Sequence, residues 1–184
     1  SYLSQIFLRR PELLDSLVRA DLVHVHRSRT MMYDELMARI DGAPDLEDRL
    51  DILRQYPSEE FLRIGINDTN GLLDFPAVSM QLSDLAESCL HGAYETARAA
   101  LLAQLGIAAL PGRIAVVAMG KLGTEELSYN CDLDLIFYMS PRKKRKPSGA
   151  ECARNLYDTY LAAYLCSAGS DRGRPGLSDR HAPA

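Results

Sequence analysis

Between Arg113 and Met139 two apolar, β-branched-rich runs bracket a polar segment that carries two glycines: R-I-A-V-V-A-M-G-K-L-G-T-E-E-L-S-Y-N-C-D-L-D-L-I-F-Y-M. Ile114 to Met119 is short, continuous and ends at a glycine, the pattern of a buried strand. Asp132 to Tyr138 reads as a second strand. Its first half alternates, which sets Asp132 and Asp134 on one face and Leu133 and Leu135 on the other. Residues two apart on a strand stand about 6.5–7 Å apart along it, a spacing from which two carboxylates reach one metal site. Gly120 and Gly123 lie between the runs, where backbone amides can approach a phosphate with no side chain in the way.

This is a kit for phosphate chemistry. Mg²⁺ takes oxygen ligands at about 2.0–2.1 Å and is commonly held by one or two carboxylates plus substrate phosphates. Two such ions about 3.5–4 Å apart serve an attacking and a leaving oxygen. A lone D-x-D is more often a solvated turn, and a lone G-x-x-G a common loop. The order strand, glycine turn, D-x-D strand is far more specific than either.

The chain has 184 residues, enough for one medium domain or two small ones, and its 47% hydrophobic content supports a core. A net charge of −4 gives no electrostatic case for nucleic acid as a partner. The basic run Arg142 to Lys146 reads as a solvated loop in preference to an electropositive lip for phosphates or an acidic partner. Cys89, Cys131, Cys152 and Cys166 show no metal spacing and read as free thiols of a reducing compartment. No signal peptide or membrane span is present, so a cytoplasmic protein with no membrane partner is expected. The Ser1 start suggests a piece of a longer protein.

Most of the rest reads as helix. Residues 2–20 carry an apolar stripe of Leu13, Leu14, Leu17 and Val18, with Pro11 at a break or restart. His24 and His26 lack a third ligand and carry no metal reading. Residues 30–41 place Met32, Leu36, Met37 and Ile40 on one face. Asp45 caps a helix over 46–56, Pro57 interrupts it, and Ser58 restarts it. The longest helix covers 77–105, with Val78, Leu82, Leu85, Cys89, Ala93, Ala97, Leu101 and Leu105 in a core stripe. Ser79 or Ser83 caps its start near Pro76, and Gly106 closes its end. A further helix is expected from Ala150.

The segment G-K-L-G-T-E-E-L-S-Y-N-C-D-L-D-L-I-F resembles the signature of the glutamine synthetase adenylyltransferase / adenylyl-removing enzyme family, a branch of the nucleotidyltransferase superfamily. Members usually show G-K-L-G-G-x-E-L-x-Y-x-S-D-L-D-L-I-F, so the chain departs at Thr124 and Cys131, and neither departure removes a carboxylate. Arg54, Arg63, Asp68 and Gly71 match a second family stretch; from the residues alone, Arg63 and Asp68 read as a structural polar pair. The resemblance implies an α+β fold: a helical N-terminal region, about residues 1–110, packed on a small mixed-sheet nucleotidyltransferase core, about 111–162. It implies Mg²⁺ held by Asp132 and Asp134 as catalytic and metal-binding carboxylates, with ATP as substrate bound at Gly120, Lys121 and Gly123. Lys121 reads equally as added charge for the triphosphate or as a solvated turn residue. The implied partners are glutamine synthetase and a PII-type regulatory protein.

The resemblance also implies a later D-x-R-L-R-P segment whose Asp is the third carboxylate, the expected general base. Residues 163–184 show no such segment and are rich in Arg, Gly, Pro, Ser and Ala. Codons can be chosen for Ala163 to Ala184 that read, one nucleotide later, R-I-C-V-L-L-G-V-T-E-E-G-R-V-Y-R-I-D-T-R-L-R. A reading-frame slip between about Asn155 and Ala163 is therefore expected, with a core truncated at its C-terminus and weak or no activity. The expected function is transfer of AMP from ATP to a tyrosine of glutamine synthetase, since S-Y-L-S-Q-I-F-L-R-R-P-E-L-L-D-S-L resembles text ahead of the transferase half's signature. The alternatives are phosphorolytic removal of AMP from adenylylated glutamine synthetase, and a non-catalytic docking fragment. The K-L-G-x-E-E-L-x-Y spacing argues against a nucleotidyltransferase of another kind.

Overall fold

Among the described residues three helices build the body, and each starts where a side chain takes up a helix-end amide. Helix α1 spans Arg29–Asp41 behind the Ser28 cap, whose hydroxyl accepts from the Met31 N–H at 3.3 Å. Helix α2 spans Leu46–Thr69, and Asp45 accepts from the Asp48 N–H at 2.9 Å. Helix α3 spans Phe75–Leu105 and is capped by Asp74, which accepts from the Ala77 N–H at 2.9 Å. Neither Ser79 nor Ser83 is that cap. Pro76 sits in the first turn, so the capping residue has to precede it. Gly106 closes α3 in the left-handed conformation, φ 60°, as its position predicts. The computed structural model describes residues 25–109, 112–129 and 131–141. The expected helices over 2–20 and from Ala150, the basic run and the 163–184 tail lie outside the described residues.

Helix α2 runs unbroken through Pro57, against the expected interruption. Proline removes one helical hydrogen bond and disfavours a helix interior by about 3 kcal/mol. Burial on both sides of it outweighs that. Leu53, Tyr56 and Leu62 are each almost fully buried, and burying a large apolar side chain contributes about 1.5–3 kcal/mol. Tyr56 also donates its hydroxyl to the Met32 carbonyl at 3.0 Å, which ties α2 to α1.

The three helices pack on one another. The stripes expected from periodicity are the core: Met32, Leu36 and Ile40 of α1 meet Leu82, Leu85 and Cys89 of α3 in one cluster. A Cβ on Gly92 would stand 2.9 Å from Leu36 Cδ2, so α1 and α3 close together there because position 92 is bare. Leu105 is the exception to the stripe, 37% exposed at the helix end. No helix among the described residues is long and apolar enough to cross a membrane.

After α3 the chain forms β1 (Gly112–Ala118), a single helical turn α4 (Gly120–Gly123), and β2 (Leu135–Pro141). The strands pair antiparallel, with Gly112 opposite Pro141 and Ala118 opposite Leu135. Among the described residues the sheet is these two antiparallel strands, not the mixed sheet expected. A helical region followed by a small sheet is borne out. The expected burial of the first strand is not: Val116 is 37% and Val117 45% exposed. A strand buried on both faces needs cover on both, and the described residues give β1 one neighbouring strand.

Candidate active site

The polar segment between the strands is held to the helical body by two leucines. Leu122 in α4 and Leu127 after it are buried and belong to the helical core cluster. The Leu127 N–H also donates to the Ser83 hydroxyl on α3 at 3.4 Å. Beyond them, Leu133 and Leu135 are half-buried against the same core, while Asp132 and Asp134 are exposed. The period-two alternation read from the sequence is therefore real. It begins before the ladder does, because β2 starts at Leu135 and not at Asp132.

The glycine turn and the second carboxylate share a wall. The Met119 N–H donates to the Asp134 carbonyl at 2.8 Å, which carries the strand pairing one step past β1. Gly120 then adopts φ 55°, and a Cβ there would lie 2.7 Å from Asp134 Oδ2. Only a residue without a side chain lets this carboxylate lie on the turn. Gly123 has a different constraint: a Cβ there would lie 2.8 Å from the Ala118 carbonyl oxygen. Its N–H donates to the Met119 carbonyl at 3.2 Å, and the amides of Thr124, Glu125 and Glu126 are likewise taken by carbonyls of the turn.

Lys121 is exposed but not idle. Its Nζ stands 3.3 Å from Cys131 Sγ and 3.5 Å from the Ser128 hydroxyl. This brings a positive charge to the residue just before Asp132. Burial works against ionising the Cys131 thiol. The Ser128 hydrogen bonds, with Lys121 adding a further one, outweigh it and hold the thiol below its ordinary value. Cys131 is a free thiol, as expected.

Among the described residues neither Asp132 nor Asp134 forms an ion pair, and no group of three His, Cys, Asp or Glu side chains comes together. Two exposed carboxylates, one lying against a glycine turn, are groups that could hold a hard cation whose remaining ligands are phosphate oxygens and water.

Sequence reasoning missed the contacts that reach across the chain. Arg63 and Asp68 do not pair with each other. Arg63 is buried and donates to Glu60, the Val25 carbonyl and Gln81, at 2.9, 3.0 and 2.8 Å. Asp68 instead accepts from the Tyr129 hydroxyl at 3.1 Å. The two partners are 61 positions apart, and no local pattern signals such a contact.

Residues 1–176 match the family model described as glutamate-ammonia ligase adenylyltransferase. Among curated proteins, the chain is 36% identical over 161 residues to the bifunctional glutamine synthetase adenylyltransferase/adenylyl-removing enzyme of Ralstonia nicotianae, covering 86% of this chain and 16% of that protein. It is 33% identical over 168 residues to the enzyme of the same description in Mesorhizobium japonicum, covering 90% of this chain and 17% of that protein. The Brucella suis counterpart is 32% identical over 149 residues, 81% of this chain and 15% of its own length. The chain thus spans about one-sixth of the length of the curated relatives it matches.

Proposed function

The chain belongs to the glutamate-ammonia ligase adenylyltransferase family, and on that premise we propose that it carries part of a site that transfers AMP from ATP to a tyrosine of glutamine synthetase. The observation that carries the reading is the close approach of Gly120 to Asp134, 2.7 Å from a would-be Cβ to Oδ2. It sets the carboxylate of Asp134 against the turn that this reading assigns to phosphate.

In this reading the amides that open the Gly120–Gly123 turn face the triphosphate, since a helical turn leaves its first N–H groups without internal partners. Gly120 and Gly123 keep that turn bare and seated on the end of β1. Lys121 adds positive charge beside the carboxylates. Asp132 and Asp134 would hold Mg²⁺, which when bound neutralises phosphate charge and favours attack at the α-phosphate. The residues themselves bind and orient; catalysis rests on positioning and charge.

The relatives' descriptions name both transfer and removal of the adenylyl group, so the direction is part of the proposal. The opening residues 1–17 favour the transferase half. A PII-type protein as regulator, a nucleotidyltransferase core over about 111–162, a cytoplasmic location and a reading-frame origin for 163–184 belong to the same proposal. Transfer of labelled AMP from Mg-ATP to glutamine synthetase tests it, with the chain run beside one whose 163–184 codons are read in the next frame. Transfer by the chain with the restored frame, weak or absent in the parent chain and abolished by Asp134→Asn, is the expected result. Release of AMP from adenylylated glutamine synthetase with phosphate, and no transfer, would favour the removing reaction. Tight binding of glutamine synthetase without either reaction would favour a docking fragment.

A further inference from the structure

We propose that Asp68 and Tyr129 are positioning residues for the carboxylate pair: their hydrogen bond fixes the segment leading to Asp132 and Asp134 onto the end of helix α2. The inference rests on the reading of Asp132 and Asp134 given above.

Asp68 lies in the last turn of α2, one residue before its end at Thr69. The carbonyl end of a helix repels a negative charge, so a carboxylate there needs a reason. The reason in the structure is the Tyr129 hydroxyl, which donates to Asp68 Oδ2 at 3.1 Å. Both side chains are half-buried, and Tyr129 packs against the helical core. Burial, the Asp68 charge and the hydrogen bond all push the Tyr129 phenol above its ordinary value, so it remains a donor at any working pH.

The contact also stands where control is needed. Leu127 is held by burial and by Ser83, and the Asp134 backbone is held by the Met119 N–H, with its carboxylate lying beside Gly120. Between these fixed points the chain passes Tyr129 and then Asp132, which among the described residues has no ion pair or hydrogen bond of its own holding its side chain. Tyr129 is three residues ahead of Asp132 and, among the described residues, donates the one hydrogen bond that ties the stretch between Leu127 and Asp134 to the helical body, since Lys121 reaches Ser128 and Cys131 from the neighbouring turn. Without it, the stretch carrying Asp132 keeps the Ser128–Cys131 contacts within itself, the reach of Lys121 from the turn and the half-buried packing of Cys131 and Leu133, but no hydrogen bond to a helix.

The test uses the full 184-residue chain, with two readouts: amide hydrogen exchange over residues 131–134, and binding of Mn²⁺ in the presence of ATP. Tyr129→Phe and Asp68→Ala should each speed exchange at 131–134 about tenfold and weaken Mn²⁺ binding about 10-fold, the range seen when a ligand's supporting partner is lost. Asp68→Asn keeps an oxygen that accepts from the phenol, so it should stay within about twofold of the parent on both readouts. Exchange in α1 and α3 should be unchanged in all three, which separates positioning from general unfolding. Unchanged exchange and affinity in Tyr129→Phe, while Asp134→Asn abolishes Mn²⁺ binding, would overturn this inference and leave the metal reading standing. Asp68→Asn behaving like Asp68→Ala would also overturn it, because charge and not the hydrogen bond would then matter. Mn²⁺ binding indifferent to Asp134→Asn would overturn the metal reading itself, and reduce the Asp68–Tyr129 contact to a structural one.

Discussion

Gly120 carries two constraints at once, and they separate cleanly on substitution. Its φ of 55° is a left-handed conformation that disfavours an L-residue by about 1–2 kcal/mol. Its bare Cα also admits the Asp134 carboxylate. Gly120→Ala should therefore lower stability by about that amount, read as a drop in the urea midpoint. It should weaken Mn²⁺ binding by more than the stability loss explains, because Asp134 has to move. Lys121→Met makes the contrast: an exposed side chain should change stability by no more than about 0.5 kcal/mol, while ATP binding weakens and the Cys131 thiol, having lost the ammonium beside it, ionises at higher pH. At this scale the sequence was a good guide where chemistry and period coincide. The Asp132–Asp134 alternation and the need for bare positions at 120 and 123 were legible. The Asp68–Tyr129 bond was not, because only the packing of α2 against the loop brings those positions together.

Among the described residues helix α3 is the longest element and touches both α1 and α2, so its start bears on the whole helical body. Asp74→Ala removes the acceptor of the Ala77 N–H and should lower stability by about 1 kcal/mol, measured by urea unfolding followed by helix circular dichroism. The junction of α1 with the residues around it responds to acid. Glu35 accepts from Arg39 at 2.7 Å and also from Arg27. Burial alone would raise its pKa, but hydrogen bonds and charge from the two arginines hold it below the ordinary carboxylate range. A carboxylate with a depressed folded pKa stabilises the protein above its unfolded value, about 4.3, and that stabilisation is lost as pH falls through the folded value. The melting temperature of the parent should thus exceed that of Glu35→Gln at neutral pH, and the gap should close below about pH 4. Helix faces were readable because burial repeats every three or four residues. The continuity of α2 was not, since the proline signal is local and the burial that overrides it is tertiary.

Across the molecule, the candidate site belongs to the helical body more than to the sheet that flanks it. The strands carry exposed apolar side chains, with Ile136 54% and Tyr138 64% exposed, which is why a continuous apolar run misled the reading of burial. The segment between the strands is instead sunk into the helices through Leu122 and Leu127, 2% and 4% exposed. Two substitutions of similar chemistry should then differ sharply. Leu127→Ala removes a buried side chain from the core and should cost about 2–5 kcal/mol, with Mn²⁺ binding lost in step as the segment leaves its seat. Ile136→Thr alters an exposed position on β2 and should change helix unfolding by no more than about 0.5 kcal/mol, leaving Mn²⁺ binding within about twofold of the parent. Urea unfolding and Mn²⁺ titration of the two variants decide it. If Ile136→Thr abolished metal binding while Leu127→Ala preserved it, the sheet and not the helical body would be the frame on which the carboxylates stand.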